Sequence, residues 1–179
     1  MTTVNNEPNV FTIRHTTTED LRKVMEIYSY ARSYMAAHGN PRQWGINNWP
    51  PEQLIREDIA AGRSYVCLCG EEIAATFCFV MGEGIEPTYT QISEGGWQSP
   101  EYYGVIHRIA SAGNIRGVGG YCIEWAFERC GCMRIDTHPD NMPMQRLLEK
   151  HGFTRCGVIH VEEDNDPRYA FERFIPGKR

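Results

Sequence analysis

The chain has 179 residues, 41% hydrophobic and 23% charged, an ordinary globular composition that argues against disorder. A formal net charge of −5 removes the electrostatic ground for a nucleic-acid partner. No apolar run approaches bilayer-crossing length, and the opening MTTVNNEPNVF lacks signal-peptide features, so the expectation is one cytoplasmic domain over residues 1–179 with no membrane partner.

The chain opens with a predicted strand over Val10–Thr16, VFTIRHT. TTED then supplies oxygen caps and first-turn acids for a helix, in which Leu21, Val24, Ile27, Tyr28, Ala31, Tyr34 and Met35 recur every three or four residues. HGNPRQWGINNWPP, His38–Pro51, breaks that helix and leaves Trp44 and Trp49 in a loop, and PEQLIREDIAAG reads as a short second helix. SYVCLCG and EEIAATFCFVMG predict two strands joined by a tight turn at Gly70–Glu71. Gly82 to Pro100 reads as a long irregular connection, a length that implies function or hidden order.

Tyr102–Ser111, YYGVIHRIAS, is the next predicted strand. Strict alternation along it puts Tyr103, Val105, His107, Ile109 and Ser111 on one face. After a glycine-rich loop, Val118, Cys122, Trp125, Ala126 and Arg129 form a helical stripe. CMRIDTH is a strand, NMPMQRLLEKHG a helix stopped by Gly152, and FTRCGVIHVEED and RYAFERF two final strands around a turn at Asn165–Asp166–Pro167. The order predicts a mixed α/β sheet with helices on its faces, and an edge strand near the C-terminus could support a homodimer. Cys67, Cys69, Cys78, Cys122, Cys130, Cys132 and Cys156 lack metal-site spacing and read as reduced structural thiols.

GNIRGVGG, Gly113–Gly120, places permissive backbone directly before a helix. Unsatisfied N–H groups and the positive end of the helix dipole attract anions there. Gly117, Gly119 and Gly120 let the backbone approach a ligand, and Arg116 adds a positive charge, so a phosphate or pyrophosphate is the natural guest. No GK[ST] follows, which excludes a P-loop, and GxGG followed by tyrosine departs from the dinucleotide pattern. The competing reading is a tight strand-to-helix turn. His138, Asp140 and Asp136 around the HPDN turn read as a solvated face instead of metal ligands, so no metal is expected.

RGVGG, a helix, RIDTHPDN and NMPMQRLLEKHGF together resemble the GCN5-related N-acetyltransferase (GNAT) superfamily, most strongly over residues 102–161. The resemblance implies an acyl-CoA N-acyltransferase fold: a central, mostly antiparallel sheet splayed at the acetyl-CoA site, with helices on both faces. The family loop Q/R-x-x-G-x-G/A falls on Asn114, Ile115, Arg116, Gly117, Val118 and Gly119, with asparagine in the first position. It implies that backbone amides here hold the pyrophosphate of acetyl-CoA, that Asn141 bonds the pantetheine arm, and that the arm pairs with backbone groups of Ile109 and Ser111 between the splayed strands. Asn141 is equally readable as a plain helix N-cap.

Acetyl transfer to an amine needs a base for the ammonium proton, a donor for the oxyanion, and a fate for the leaving thiolate. Many family members place a tyrosine near that thiolate inside N-x-x-A-x-x-L-Y-x-K-x-G-F, and Leu148 stands at its position here. Tyr121 and Tyr103 are the substitutes the sequence offers. His107 is the first choice of base, because an imidazole titrates near working pH and some arylalkylamine acetyltransferases of the superfamily carry histidine four residues before the position of Ser111; Glu101 is the second. Trp44, Trp49 and Tyr103 are candidates for the acceptor pocket. The sequence therefore predicts acetyl transfer from acetyl-CoA to a primary amine by direct attack in a ternary complex, the rival being a catalytically weak acyl-CoA-binding sensor.

Overall fold

The computed structural model of the chain describes residues 9–162 and 166–176. The MTTVNNEP segment, the Glu163–Asp164 end of the predicted sixth strand and Asn165 of the predicted turn lie outside them.

Strand β1 (Phe11–His15) leads through a 3₁₀ turn, Thr18–Asp20, into α1 (Leu21–Ala37). Asp20 holds this corner. It accepts the Thr17 N–H at 2.8 Å and both Arg14 guanidinium nitrogens at 2.6 and 2.9 Å. The Arg14 hydrogen bonds draw its carboxyl pKa down to about 2. Helix α2 (Glu52–Ala60) precedes β2 (Ser64–Cys69) and β3 (Glu72–Glu83), which turn at Gly70 with φ 61°. Then come β4 (Tyr102–Ser111), α3 (Val118–Cys130), β5 (Cys132–Thr137), α4 (Met142–Lys150), β6 (Thr154–His160) and β7 (Pro167–Phe174).

The seven strands form one sheet in the order β1-β2-β3-β4-β5-β7-β6, so β1 and β6 are its edges. Every pairing is antiparallel except β4 with β5, and that parallel pair meets only at Gly104 and Met133. Beyond this point the two strands diverge, each keeping its outer partner. Gly104 permits the closure, since a Cβ there would collide with Phe79 and Cys130.

Helices α3 and α4 cover one face over Phe77, Phe79, Ile106, Met133, Ile135 and Leu148. Helices α1 and α2 cover part of the other over Val66 and Ala110, with Val24, Ile27, Tyr28 and Ile55 buried between. Two expectations about stripes change. On α3 the core face includes Ile123 and Phe127, while Arg129 is exposed and lies over the Trp125 ring at 3.5 Å. On α1 the buried stripe ends near Ala31, so that Tyr34 is 42% exposed.

The Gly82–Pro100 connection is irregular in backbone beyond β3 but ordered and packed, the hidden order that its length allowed. A 3₁₀ turn spans Pro87–Thr90, Ser93 and Val158 exchange backbone hydrogen bonds of 2.8 Å, and the Glu172 carboxylate accepts the Gln98 and Ser99 N–H groups. Tyr89 and Trp97 are its apolar anchors, roofing Tyr103, Val105, Ile159 and Ala170. Side-chain pins of this kind leave no periodic signal.

Strict alternation along β4 fails at Arg108, whose φ is 53°. His107 pairs with Cys78 and Ala110 with Thr76, so two residues of β4 oppose Phe77 alone, a β-bulge. Tyr103 and Val105 therefore face the Tyr89 cluster while Ile109 joins Ile106 against the α3 core, contrary to the single face expected.

Leu148 is fully buried in the α3–α4 core. Leu148→Ala is expected to lower unfolding free energy by about 2–5 kcal/mol in urea titration; an unchanged midpoint would contradict this packing.

Candidate active site

The divergence of β4 from β5 opens a groove of about 410 Å³ between the two strands, the C-terminal half of α1 and the start of α4. Ile109, Ser111, Gly119 and Asn141 line it together, as the resemblance implies. At one end stands the N-terminus of α3. Gly117 precedes the helix with φ 85°, which favours glycine, and the first intrahelical bond runs from the Tyr121 N–H to the Gly117 carbonyl. The N–H groups of Val118, Gly119 and Gly120 come before that bond and have no intrahelical acceptor. Val118 is buried, so its backbone is what it can offer a ligand, and Arg116 is exposed.

Two members of the predicted loop set also serve the scaffold. A Cβ on Gly120 would strike the His151 imidazole, so this glycine serves helix packing. The Asn114 side chain donates to Glu72 Oε1 at 2.7 Å, away from the groove.

Asn141 is both cap and groove residue. Its Oδ1 accepts the Met144 N–H at 3.2 Å and its Nδ2 donates to Gln43 Oε1 at 3.0 Å. Asn40 Nδ2 donates to the same Gln43 oxygen at 2.7 Å. Neither Gln43 nor Asn40 was expected from sequence; their signal was polar residues in the break after α1, which is common to any loop. Three buried side-chain atoms lack a hydrogen-bond partner among the described residues: Asn40 Oδ1, Arg108 Nε and Thr137 Oγ1. All three residues line this groove. Buried polar atoms are normally satisfied, so their gathering here marks a surface shaped for a polar guest. A long, amide-bearing arm ending in phosphates fits such a groove.

A second cavity of about 220 Å³ adjoins the first, sharing Gln43, Trp44, Ile106, Arg108 and Asp136 with it. His107, Glu86 and Trp49 line it. His107 Nε2 lies 3.4 Å from Glu86 Oε2, and 22% of the histidine side chain is exposed. Burial pushes the imidazole pKa down to about 4, and the Arg108 cation acts in the same direction. The imidazole is therefore neutral at neutral pH, with a lone pair free to take a proton. Trp44 anchors its loop edge-on against Tyr28 at 5.8 Å and walls both cavities, so its two readings hold together.

The remaining predicted residues are not brought here. Glu101 is exposed beside the end of β4 far from Ser111 and lines neither cavity. Tyr103 is buried between the Tyr89 ring and the Arg134 guanidinium, which sits 4.1 Å from its centroid. The Tyr121 hydroxyl donates to the Phe11 carbonyl at 3.0 Å on the outer side of the fold. Neither tyrosine reaches the groove; those that line it are Tyr30 and Tyr34 of α1. His138 Nδ1 accepts the Asp140 N–H at 3.1 Å and its Nε2 faces Asp166 at 3.3 Å, so the HPDN turn is held by its own hydrogen bonds. All seven cysteines are free thiols, and no helix among the described residues is long and apolar enough to cross a membrane.

The depressed His107 pKa makes stability depend on pH. The unfolded imidazole titrates near 6.5 and the folded one near 4, so between these values the unfolded chain binds more protons. The His107 contribution is complete above about pH 6.5 and is lost as pH falls toward 4. Denaturant titrations at pH 7 and 4.5 should show His107→Gln losing less stability than the parent on acidification. Equal losses would contradict the burial of this imidazole.

The acetyltransferase (GNAT) family model matches residues 27–153. No curated protein sequence matches the chain. Among solved structures, a GNAT-family acetyltransferase from Streptococcus agalactiae is 26% identical, covers 92% of this chain and 95% of its own, and superposes with a TM-score of 0.79. The Salmonella typhimurium protein yncA, solved with its cofactor acetyl-CoA, has the same fold at 17% identity, a TM-score of 0.57 and coverage of 95% and 96%. So does the ribosomal-protein-S18-alanine N-acetyltransferase of Escherichia coli, at 12% identity, a TM-score of 0.58 and coverage of 95% and 98%. The splayed sheet, the glycine-led helix and the match over residues 27–153 agree: this chain belongs to the acetyltransferase (GNAT) family.

Proposed function

We propose that the protein transfers the acetyl group of acetyl-CoA to the primary amine of a small polar acceptor, by direct attack in a ternary complex. The observation that carries this reading is the pair of adjoining cavities that meet at Ile106, Arg108 and Asp136 on the splayed strands. One has the length and free N–H groups for a coenzyme arm, and the other is a compact space walled by Trp44 and Trp49.

In this reading the α3 N-terminus, Gly117 to Gly120, holds the pyrophosphate, and Asn141, Asn40 and Thr137 offer hydrogen bonds to the pantetheine amides. Acetyl-CoA supplies the activated acyl group. The bulge at Arg108–Ile109 frees backbone groups from the β3 ladder for the acyl oxygen, where preorganised N–H donors stabilise developing negative charge. Neutral His107 accepts the proton that the acceptor ammonium must lose, directly or through one water, so that the amine lone pair can attack. As the new C–N bond forms and the C–S bond breaks, the nitrogen sheds a second proton; of the two, one goes to the thiolate sulfur and the other leaves to solvent, giving the neutral amide and CoA thiol.

The sensor reading retains one observation in its favour. Leu148 fills the position of the usual tyrosine and is wholly buried, and neither Tyr103 nor Tyr121 reaches the groove.

Initial rates of CoA release, with acetyl-CoA and a panel of small amines varied together, test the proposal. Lines that intersect, and Gly119→Val raising the acetyl-CoA KM by at least about tenfold with little change in the acceptor KM, are expected, because Gly119 lines the groove and a Cβ there already meets Leu147 at 3.2 Å. Tight acetyl-CoA binding without turnover on any amine would favour the sensor.

A further inference from the structure

At the seam between the two cavities stands Arg108. It lines both, and its backbone is held in the left-handed region at φ 53°, a conformation that costs an arginine free energy. Tyr28 fixes the bulge by donating its hydroxyl proton to the Arg108 carbonyl at 3.0 Å. The surrounding fold thus sustains a strained backbone in order to aim this side chain.

The guanidinium is incompletely satisfied. Nη2 bonds Asp58 and is its one nitrogen with an oxygen partner among the described residues, while Nε is buried and has none. The neighbouring Cys78 thiol, held protonated by burial with its pKa raised to about 11, is only a weak acceptor. Asp58 is itself shared, because Arg63 Nε reaches its other oxygen at 2.6 Å. Two arginines on one carboxylate leave a surplus positive charge, and Arg63 carries it toward solvent whereas Arg108 is only 14% exposed. A largely buried cation that lines two cavities and keeps an unpartnered donor calls for an anion.

The other charged groups of the second cavity complete the pattern. Glu86 Oε1 accepts from the Thr88 N–H and hydroxyl, Asp136 Oδ1 accepts from the Tyr89 hydroxyl, and Arg168 Nη1 donates to the Asp166 and Pro167 carbonyls. Glu86, Asp136 and Glu162 thus bring carboxylates, and Arg108 and Arg168 guanidinium groups, to the lining of one cavity. Both signs on one small surface suit an amphoteric guest.

We infer that Arg108 binds an anionic group of the acceptor, and that the acceptor is an amino acid or a close analogue whose carboxylate lies within a few bonds of the attacked nitrogen. Proximity follows from position, since Arg108 touches the coenzyme groove as well as the acceptor cavity. A diamine or polyamine fits poorly, because its second ammonium would meet this guanidinium. This inference rests on the acetyl-transfer reading above and narrows its substrate class.

The test compares matched pairs: arginine with agmatine, lysine with cadaverine, histidine with histamine, and methionine with 3-(methylthio)propylamine. Acetyl transfer from acetyl-CoA is read as CoA release by the full chain. At least one amino acid should exceed its decarboxylated partner by about 10- to 100-fold in kcat/KM. Arg108→Lys and Arg108→Gln should collapse that ratio, the amino acid losing at least about tenfold more in kcat/KM than its decarboxylated partner. Arg108→Lys keeps a cation beside Asp58, and the parent's ratio is informative even if Arg108→Gln does not fold. Preference for the decarboxylated amines overturns the inference and leaves acetyl transfer standing. An equal loss on both members of a pair overturns it too, assigning Arg108 to the acyl or leaving group. No transfer to any compound, with acetyl-CoA still bound, overturns the inference and the acetyl-transfer reading together.

Discussion

The structure depends on a parallel strand pair that is allowed to meet only once. Strands β4 and β5 touch at Gly104 and Met133 and then part, so the inner backbone edges of both lie unpaired within the sheet. Unpaired N–H and C=O groups inside a fold are costly, and elsewhere this sheet pairs them along its ladders. The outer neighbours stay paired along both strands, β7 in unbroken register and β3 with one bulge opposite Phe77, which prevents the gap from closing by sliding. The gap is therefore a built feature with a polar lining, and the glycine-led start of α3, the cap of α4 and the end of α1 all converge on it.

A second constraint acts within the first. The extra residue in β4 at Arg108 turns the strand so that Ile109 joins one core and His107 opens on the opposite side, into the smaller cavity. One bulge thus divides the gap into two sides, which the proposed reaction assigns to coenzyme and acceptor. The electrostatics follow from the same local geometry. The guanidinium that the bulge directs toward Asp58 helps keep the His107 imidazole neutral, while Glu86 opposes it across 3.4 Å. A neutral imidazole beside a fixed cation is poised to receive a proton over the whole neutral range, though as a weak base whose partner must itself be brought close to losing that proton.

Much of this was legible in the residues. The strands and helices follow from alternation, helical spacing and capping, and RGVGG with Asn141 and Gly152–Phe153 pointed to the family that the match over residues 27–153 establishes. What escaped has physical reasons. A β-bulge inserts a single residue and leaves local composition unchanged, so strict alternation placed Ile109 on the wrong face; the one hint was a polar pair, His107–Arg108, inside an apolar strand. The order of Gly82–Pro100 comes from hydrogen bonds to Glu172 and Val158, far along the chain, which no local pattern encodes. Gly120 and Asn114 matched a motif whose backbone they share, but the His151 ring and the Glu72 carboxylate account for them. Gln43 and Asn40 became site residues only when the loop after α1 folded over Asn141.

The most direct measurement is thermal unfolding of the protein with acetyl-CoA, CoA, ATP and NAD, each near saturation. A ligand at about 100 times its dissociation constant stabilises the fold by roughly 2.7 kcal/mol, which for a domain of this size raises the midpoint by about 5–10 °C. If the gap between β4 and β5 is a coenzyme A site, acetyl-CoA and CoA produce that shift and NAD does not, with ATP at most weakly effective through its phosphates. A midpoint unmoved by either coenzyme A compound would contradict a coenzyme site in that gap, leaving the glycines of Gly117–Gly120 as the elements of a turn.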